Sequence, residues 1–372
     1  MSQLERLAEE RLRLVPAYRP GVRGTGPASG KLSANEAPLG PAPAVRSALL
    51  SLQSMHRYPE HGAVTEDLAR HAGLRADNIM LTNGSDELCY LLATLFLGPG
   101  RVAVIGSPGY QIDATVSLLS GAELRRVPLV DGAHDLPAMA RAAHGASVIW
   151  LPSPHNPTGA VCDSDELERF LSDVPRDCAV VLDEAYRSFT DPGLRPDVVR
   201  LLREHPHLVV QRTLSKDWAL AGLRAGYALA SEGVIRALRR ACSPFNVNSA
   251  ALAAIQAALP EEGWRTMSVA QIRQERERLE RELERLGFEY FPSQASFVTA
   301  RIEHSRLAPE LAVAGLAVRP GEDLGLPGWS RISIGWAPQM AQLRAALRRT
   351  AAHPTLIARR GEQLCPRVHR FA

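Results

Sequence analysis

Gln211-Arg212-Thr213-Leu214-Ser215-Lys216, followed closely by Gly222-Leu223-Arg224, is the stretch around which the rest of the chain is read. The apolar run Leu208-Val209-Val210 leads into it and reads as a buried strand, so the Ser-Lys pair falls at a strand end. An isolated Ser-Lys is far more often a surface lysine capping a loop. Here Arg224 is spaced to return to the lysine. An amine among cations and partly desolvated releases its proton more easily. A neutral amine can attack a carbonyl and form a Schiff base. Pyridoxal phosphate (PLP) chemistry needs such an amine, with cations and hydroxyls to hold the phosphate. Lys216 is therefore the candidate PLP lysine, and the other parts of such a site are sought elsewhere in the chain.

Before that stretch, from residue 79, strand and helix patterns alternate. Ile79–Thr82, Val102–Ile105, Leu124–Val127, Val148–Leu151, Val180–Leu182, Leu208–Val210 and Tyr227–Ala230 read as strands, with helical segments such as Leu88–Leu97 between most of them. This pattern predicts an α/β domain with a largely parallel sheet between helices. Beyond residue 245 it changes. Helices at Ser249–Leu259, Ala270–Leu286 and Met340–Arg349 accompany strands at Phe297–Ile302 and Arg331–Ile334, which predicts a smaller α+β domain. Earlier, Met1–Leu14 has helical period and Ala44–Gln53 helical spacing, separated by a Pro-, Gly- and Ala-rich extended arm. The expected division is an N-terminal arm over 1–45 packing with the small domain, a large PLP-binding domain over 46–248, a small domain over 249–350 and a basic tail over 351–372.

Composition bounds the function. The chain has 372 residues, 45% hydrophobic and 22% charged, which suits a two-domain globular protein. A net charge of +3 is too mild to argue for nucleic acid. The five cysteines, Cys89, Cys162, Cys178, Cys242 and Cys365, form no Cys-x-x-Cys pair and are odd in number. That speaks against a disulfide framework and a zinc site, so no metal is expected and a reducing, cytoplasmic location fits. No stretch is apolar enough to span a bilayer, so no membrane partner is expected.

Three further features fall at strand ends, where open α/β sheets bind ligands. Gly84-Ser85-Asp86 opens a helix and reads either as a plain N-cap or as an anion site of free amides. Ser153 to Gly159 fixes a turn with two prolines and a glycine, aiming Asn156 at one point. Asp183-Glu184-Ala185-Tyr186 places a carboxylate at the end of a buried strand, costly without a partner. A protonated pyridine nitrogen is one such partner, an arginine another. Tyr186 is close enough to donate to a phenolic oxygen.

Here the chain resembles a known family. It looks like a fold-type I PLP enzyme of the class I/II aminotransferases, nearest the histidinol-phosphate aminotransferase group. The matching pieces are Ser33-Ala34-Asn35-Glu36, Arg57-Tyr58-Pro59, Asn83 to Glu87, Pro108-Gly109-Tyr110, Ser153 to Gly159, Asp183 to Tyr186, Thr213 to Lys216, Ala221 to Arg224, Phe245 to Asn248 and Arg331 to Gly335. The resemblance implies a seven-stranded-type sheet in the large domain, PLP as cofactor, and amino-group transfer between an amino acid and a 2-oxo acid. It implies that Lys216 carries the cofactor and moves a proton. Asp183 pairs with the pyridine nitrogen, and Asn156 and Tyr186 bind the phenolic oxygen. Tyr110 stacks on the ring, while Gly84, Ser85, Asp86, Ser215 and Arg224 hold the phosphate. It further implies a homodimer with shared active sites, in which Tyr58 reaches the other subunit's phosphate, and substrate contacts from Arg331 and Asn35.

Departures from the family pattern concern the substrate pocket. Asp217-Trp218 follows the lysine, where a carboxylate can perturb it. Leu39 stands where a pocket tyrosine is usual, Ser296 where an Asn is common, and Trp336-Ala337-Pro338 replaces a Thr-x-Glu run. Leu324–Trp329 looks like the threonine-phosphate decarboxylase branch. The expectation is an altered, more apolar pocket that prefers a carboxylate-bearing amino acid and handles histidinol phosphate poorly, with Arg319 and Arg301 as the remaining cations. Two other readings stand beside transamination: a different PLP reaction (decarboxylation, cyclisation or oxidation) and a non-enzymic PLP-binding module.

Overall fold

The structure is a computed structural model and describes residues 2–15, 17–21 and 30–352. The chain opens with α1 (Gln3–Leu12), capped by Ser2 and Glu5 in a reciprocal capping box, followed by β1 (Gly30–Leu32), α2 (Pro43–Leu50) and α3 (Gly62–Ala72). An alternating run follows: β2 (Ile79–Thr82), α4 (Ser85–Phe96), β3 (Val102–Ser107), α5 (Gln111–Leu119), β4 (Glu123–Pro128), α6 (Leu136–Ala142), β5 (Val148–Pro152), α7 (Ser164–Asp173) and β6 (Ala179–Asp183). It continues through α8 (Val198–Glu204), β7 (Leu208–Thr213), β8 (Gly226–Leu229), α9 (Glu232–Ala241) and α10 (Ser249–Ala258). The last part is α11 (Glu262–Arg285), β9 (Tyr290–Phe291), β10 (Phe297–Ala300), α12 (His304–Val313), β11 (Leu316–Pro320), β12 (Ser330–Ser333) and α13 (Ala337–Ala352). The basic stretch expected after residue 350 lies, from residue 353 onward, outside the described residues.

Seven strands form one sheet in the order β2-β8-β7-β6-β5-β3-β4. All neighbours from β7 to β4 are parallel, and β8 runs antiparallel to both β7 and β2. The expected largely parallel α/β sheet is thus present. Its central strands are continuous apolar runs because helices cover both faces: every residue of β5 is buried. Side chains alternate between two cores. Val104, Ile149, Leu151, Val180 and Leu208 pack on one face, and Ala103, Ile105, Trp150, Val181 and Val209 on the other. The edge strand β4 carries Arg125 and Arg126 and is mostly solvated, which protects a free edge from unwanted pairing.

A second sheet, β1-β11-β12-β10-β9, has its own core, built on Phe297, Val298, Ile332 and Leu343 and shared with Tyr186 and Phe189. β1 pairs with β11 in parallel, so the segment before residue 45 edges this sheet. The long helix α11 covers it. Its Glu275, buried, accepts from Arg278 at 2.5 Å and from Arg344 of α13 at 2.8 Å, which pins helix to helix.

The order of the large sheet reverses between β3 and β5: β4 lies on one side of β3, and β5, β6 and β7 on the other. The carboxyl ends of those strands open into a crevice at that point. The chain after β1 and the strands β11 and β12 close it from the small-sheet side, and the functional side chains converge there.

Candidate active site

A cavity of about 970 Å³ occupies the crevice, and most residues singled out from the sequence line it. Asn35, Ser85, Asp86, Tyr110, Asn156, Asp183, Tyr186, Ser215, Lys216, Arg224 and Arg331 all do. Gly84 lies just behind, at a φ of 76° that favours glycine, and a Cβ there would come within 2.5 Å of Arg224 Nη2 and push that guanidinium aside. Tyr58 is elsewhere, 77% exposed and stacked on Phe245 with ring centroids 4.4 Å apart.

Lys216 follows β7 directly. Its Nζ donates to the Ala34 carbonyl at 3.2 Å and lies 5.7 Å from the Tyr186 ring centre. The carboxylate of Asp217, expected to disturb this lysine, is turned away. It accepts from Ser188 Oγ at 2.6 Å and from Arg265 Nη1 at 3.0 Å, and Arg265 lies over the Trp218 ring.

At one end of the cavity α4 begins at Gly84, with φ of 76° and no side-chain cap, so its first amides are open to an anion. Ser215 and Arg224 border the same end. Arg224 is held in the left-handed region at φ 55°, and its Nη2 donates to Asp86 Oδ2 at 3.2 Å. Asp86 also accepts from Tyr110 Oη at 2.9 Å. An anion bound here meets the backbone and the guanidinium, while the Asp86 carboxylate holds the guanidinium in place. Burial, then Asp86, pushes the Tyr110 phenol well up, so it remains a donor.

Asp183 closes β6. Its Oδ1 accepts from Ala185 N at 2.9 Å, and burial, the largest cause, pushes the carboxyl up to about 7. An unfolded aspartate titrates near 3.8, so between these values the cofactor-free fold binds more protons than the unfolded chain. The part of the cofactor-free protein's stability that Asp183 contributes should therefore fall as pH rises from about 4 to about 7, and the buried Asp113, also pushed up, adds a slope of the same sign. Thermal melts across that range check this. Asp183→Asn should flatten the slope, whereas an unchanged slope would remove Asp183 as its source.

The loop Ser153–Gly159 is rigid for visible reasons. His155 Nδ1 and Thr158 Oγ1 lie 2.9 Å apart, Thr158 donates to the Gly132 carbonyl at 2.6 Å, and Gly159 takes φ of 89°. The loop thereby aims Asn156, whose Oδ1 accepts from Arg331 Nη1 at 2.7 Å. Tyr186 Oη accepts from Asn35 Nδ2 at 2.8 Å, which leaves its own proton available to the cavity. Asn35 is fixed at φ 54° by Ser333, which donates to its Oδ1 at 2.6 Å and accepts from its N–H at 2.9 Å.

The far end holds two buried arginines. Arg319 and Arg331 stand directly opposite each other on β11 and β12, 4% and 6% exposed. Arg331 spends Nη1 on Asn156 and Nη2 on the Ser33 carbonyl at 3.0 Å, and lies over the Phe297 ring. Arg319 lies over the Tyr18 ring, with Asp323 no nearer than 3.6 Å. The Nε of each is buried without a hydrogen-bond partner. Asp323 partly offsets the charge of Arg319, whereas Arg331, with no carboxylate partner among the described residues, is costly until an anion meets it. Arg301, the other cation considered from sequence, pairs with Glu289 at 3.0 Å and does not line the cavity. Nor do Leu39 and Trp336, so the expected apolar bulk is absent from the cavity wall; Trp336 is 42% exposed. Sequence reading missed Tyr18 and the acidic turn of Glu322 and Asp323. It also missed the Arg319–Arg331 register, whose only signal is the short run Leu316–Pro320.

Three comparisons bear on this geometry. The family model described as aminotransferase class I and II matches residues 30–349. Histidinol-phosphate aminotransferase 1 of Dechloromonas aromatica is 39% identical over 320 residues, covering 85% of this chain and 88% of its own. The histidinol-phosphate aminotransferase of Geobacillus thermodenitrificans is 38% identical over 344 residues, covering 89% and 94%. Among solved structures, the histidinol-phosphate aminotransferase of Sinorhizobium meliloti, in complex with pyridoxal-5'-phosphate, superposes with a TM-score of 0.81 at 28% identity over 86% of this chain and 90% of that one. Thermus thermophilus aspartate aminotransferase shares the fold, at a TM-score of 0.77 and 24% identity over 95% and 99%.

Proposed function

We propose a substrate class from one premise: the chain belongs to the class I and II aminotransferase family, and it is a PLP-dependent aminotransferase of fold type I. Its substrates are an amino compound and a 2-oxo acid. When bound, the cofactor supplies an electron sink that lets an amino group pass between two carbonyl carbons.

The roles proposed for this chain follow the geometry. Lys216 Nζ carries the cofactor and, once released, moves the substrate proton. Asp183 faces the ring nitrogen. Asn156 and Tyr186 hold the phenolic oxygen, and Tyr110 covers the ring. The open amides behind Gly84, at Ser85 and Asp86, hold the phosphate with Ser215 and Arg224. Asn35 positions Tyr186 on the substrate side.

The reading carried furthest is an amino donor with a negative group at the end remote from the amine, of the phosphate-ester type named in its relatives. The observation that carries it is the Arg319–Arg331 pair, two buried guanidinium groups side by side, of which Arg331 has no carboxylate partner among the described residues and Arg319 only Asp323 at 3.6 Å. Arginine suits a phosphate or carboxylate through its planar fork. With no apolar wall from Leu39 or Trp336, one of the two grounds for expecting poor handling of histidinol phosphate falls away, and the phenol missing at Leu39 remains as the other. The test compares kcat/KM for histidinol phosphate and for histidinol with 2-oxoglutarate as acceptor. We expect the phosphorylated amine to lead by about 100-fold, the value of one desolvated charge-assisted contact. Equal values, or a better result with aromatic amino acids in the same panel, would overturn the reading.

A homodimer with shared sites is proposed as well, on the exposed stacked pair Tyr58 and Phe245 and the exposed Leu4, Leu7 and Met55. Tyr58 would then serve the cofactor phosphate of the partner. Tyr58→Phe should weaken cofactor binding about tenfold, as loss of one hydrogen bond to a charged group does. A monomer that keeps full activity on dilution would contradict the dimer. The division at residues 46–248 and 249–350, with an arm before it, is proposed on the two separate cores and on β1 joining the smaller sheet. A cytoplasmic location is proposed on the free Cys89, Cys162, Cys178 and Cys242. Among the described residues no helix is long and apolar enough to cross a membrane.

A further inference from the structure

We propose that Gln211 is a positioning residue for Asp183, its amide turned by the Cys89 thiol so that its NH2 holds the carboxylate in place and charged. The inference rests on the reading that Asp183 faces the ring nitrogen.

Gln211 lies in β7 directly opposite Asp183 of β6, so the two side chains share a face. It is 1% exposed and follows three buried apolar residues, Leu208, Val209 and Val210. An amide in that position is costly unless both its ends are bonded. One end is visible: Cys89 Sγ donates to Gln211 Oε1 at 3.3 Å. Cys89 projects from α4 and is fully buried, and burial pushes its thiol well up, so it stays protonated and keeps the proton it donates to Oε1. With Oε1 committed to the thiol, Nε2 is the end left over, and the strand register sets Gln211 beside Asp183, whose proton affinity it lowers. The carboxylate accepts from Ala185 N at 2.9 Å, and Gln211 Nε2 is the second donor we assign to it.

These donors act against a strongly acidic setting. Asp86 on α4 and Glu184 beside Asp183 raise its proton affinity in addition to burial. Asp113 on α5, fully buried, is itself pushed well up by burial and then by Asp183. Lys216 and Arg224 line the same cavity. Removing Gln211 deletes the donor assigned to the carboxylate from the neighbouring strand. Asp183 then holds a proton more tightly and serves a cationic ring nitrogen less well. Removing only the thiol lets the amide turn its oxygen toward the carboxylate, with the same sign of effect.

The experiment uses the cofactor-loaded enzyme and two readouts besides rate: the cofactor Kd and the pH midpoint of the bound cofactor's absorption band. Gln211→Leu, close in size and apolar, should raise Kd about tenfold and move the midpoint by about half a pH unit or more, with kcat lowered and KM little changed. Cys89→Val should act in the same direction, and Cys89→Ser, which keeps a donor, should return both values to within about twofold of wild type. Gln211→Leu within twofold of wild type on both readouts overturns the proposal. If Gln211→Leu fails to fold, the Cys89 pair decides, and equal behaviour of the Val and Ser variants overturns it. Asp183→Asn separates the two levels. If it leaves both readouts unchanged, the assignment of Asp183 is wrong; if it disturbs them while Gln211→Leu does not, only the present inference fails.

Discussion

Replacing Lys216 with alanine is expected to lower turnover by several orders of magnitude while the protein stays folded, the scale on which a sole covalent group is missed. The structure explains why stability is spared. Lys216 is part-buried and its amine makes one hydrogen bond, to the Ala34 carbonyl, so truncation leaves one acceptor beside an open cavity. It also explains why activity is not. The whole chain contains only two lysines, and the other, Lys31, is engaged with Glu36 at 2.8 Å and does not line the cavity. No second lysine lines the cavity to take over. Single-turnover kinetics and thermal melts on the variant check both halves. Turnover within tenfold of wild type would remove Lys216 from the chemistry.

Arg331→Ala should raise KM for the preferred amino donor far more than it lowers kcat. Truncating one partner of a buried, hydrogen-bonded charge pair costs about 2–5 kcal/mol, roughly 30-fold to several thousand-fold in affinity. Three consequences combine. The substrate anion loses a fork, Asn156 Oδ1 loses its donor at 2.7 Å, and the Ser33 carbonyl loses its donor at 3.0 Å. Arg331→Lys should recover little, because an ammonium has no planar fork to reach two acceptors and a ligand at once. Initial-rate kinetics decide it, and a KM within threefold of wild type in Arg331→Ala would place the substrate anion elsewhere.

Much of the fold was legible because its signals are local. The central strands are short apolar runs punctuated by turns, and a buried parallel strand needs no partner information to be seen. β1 and β11 were not seen. Gly30–Leu32 is three residues at the end of a Gly-rich arm, and Leu316–Pro320 acquires meaning only from pairing with β1 and β12. Most candidate site residues converge on one cavity, since strand ends at a reversal of sheet order must face the same crevice. Direction was harder to read. Leu39 and Trp336 are close in sequence to Asn35 and Arg331, yet neither reaches the cavity wall, and Asp217, next to Lys216, turns to Ser188 and Arg265. The Cys89–Gln211 contact joins residues 122 apart and leaves no local trace.

Whether Lys216 holds the cofactor is decided by reducing the cofactor-loaded protein with borohydride, then digesting it and mapping the labelled peptide. With two lysines in the chain the result is unambiguous. One label per chain is expected, on Lys216 in the segment Thr213-Leu214-Ser215-Lys216. A label on Lys31, or retention of the cofactor without any lysine label, would contradict it.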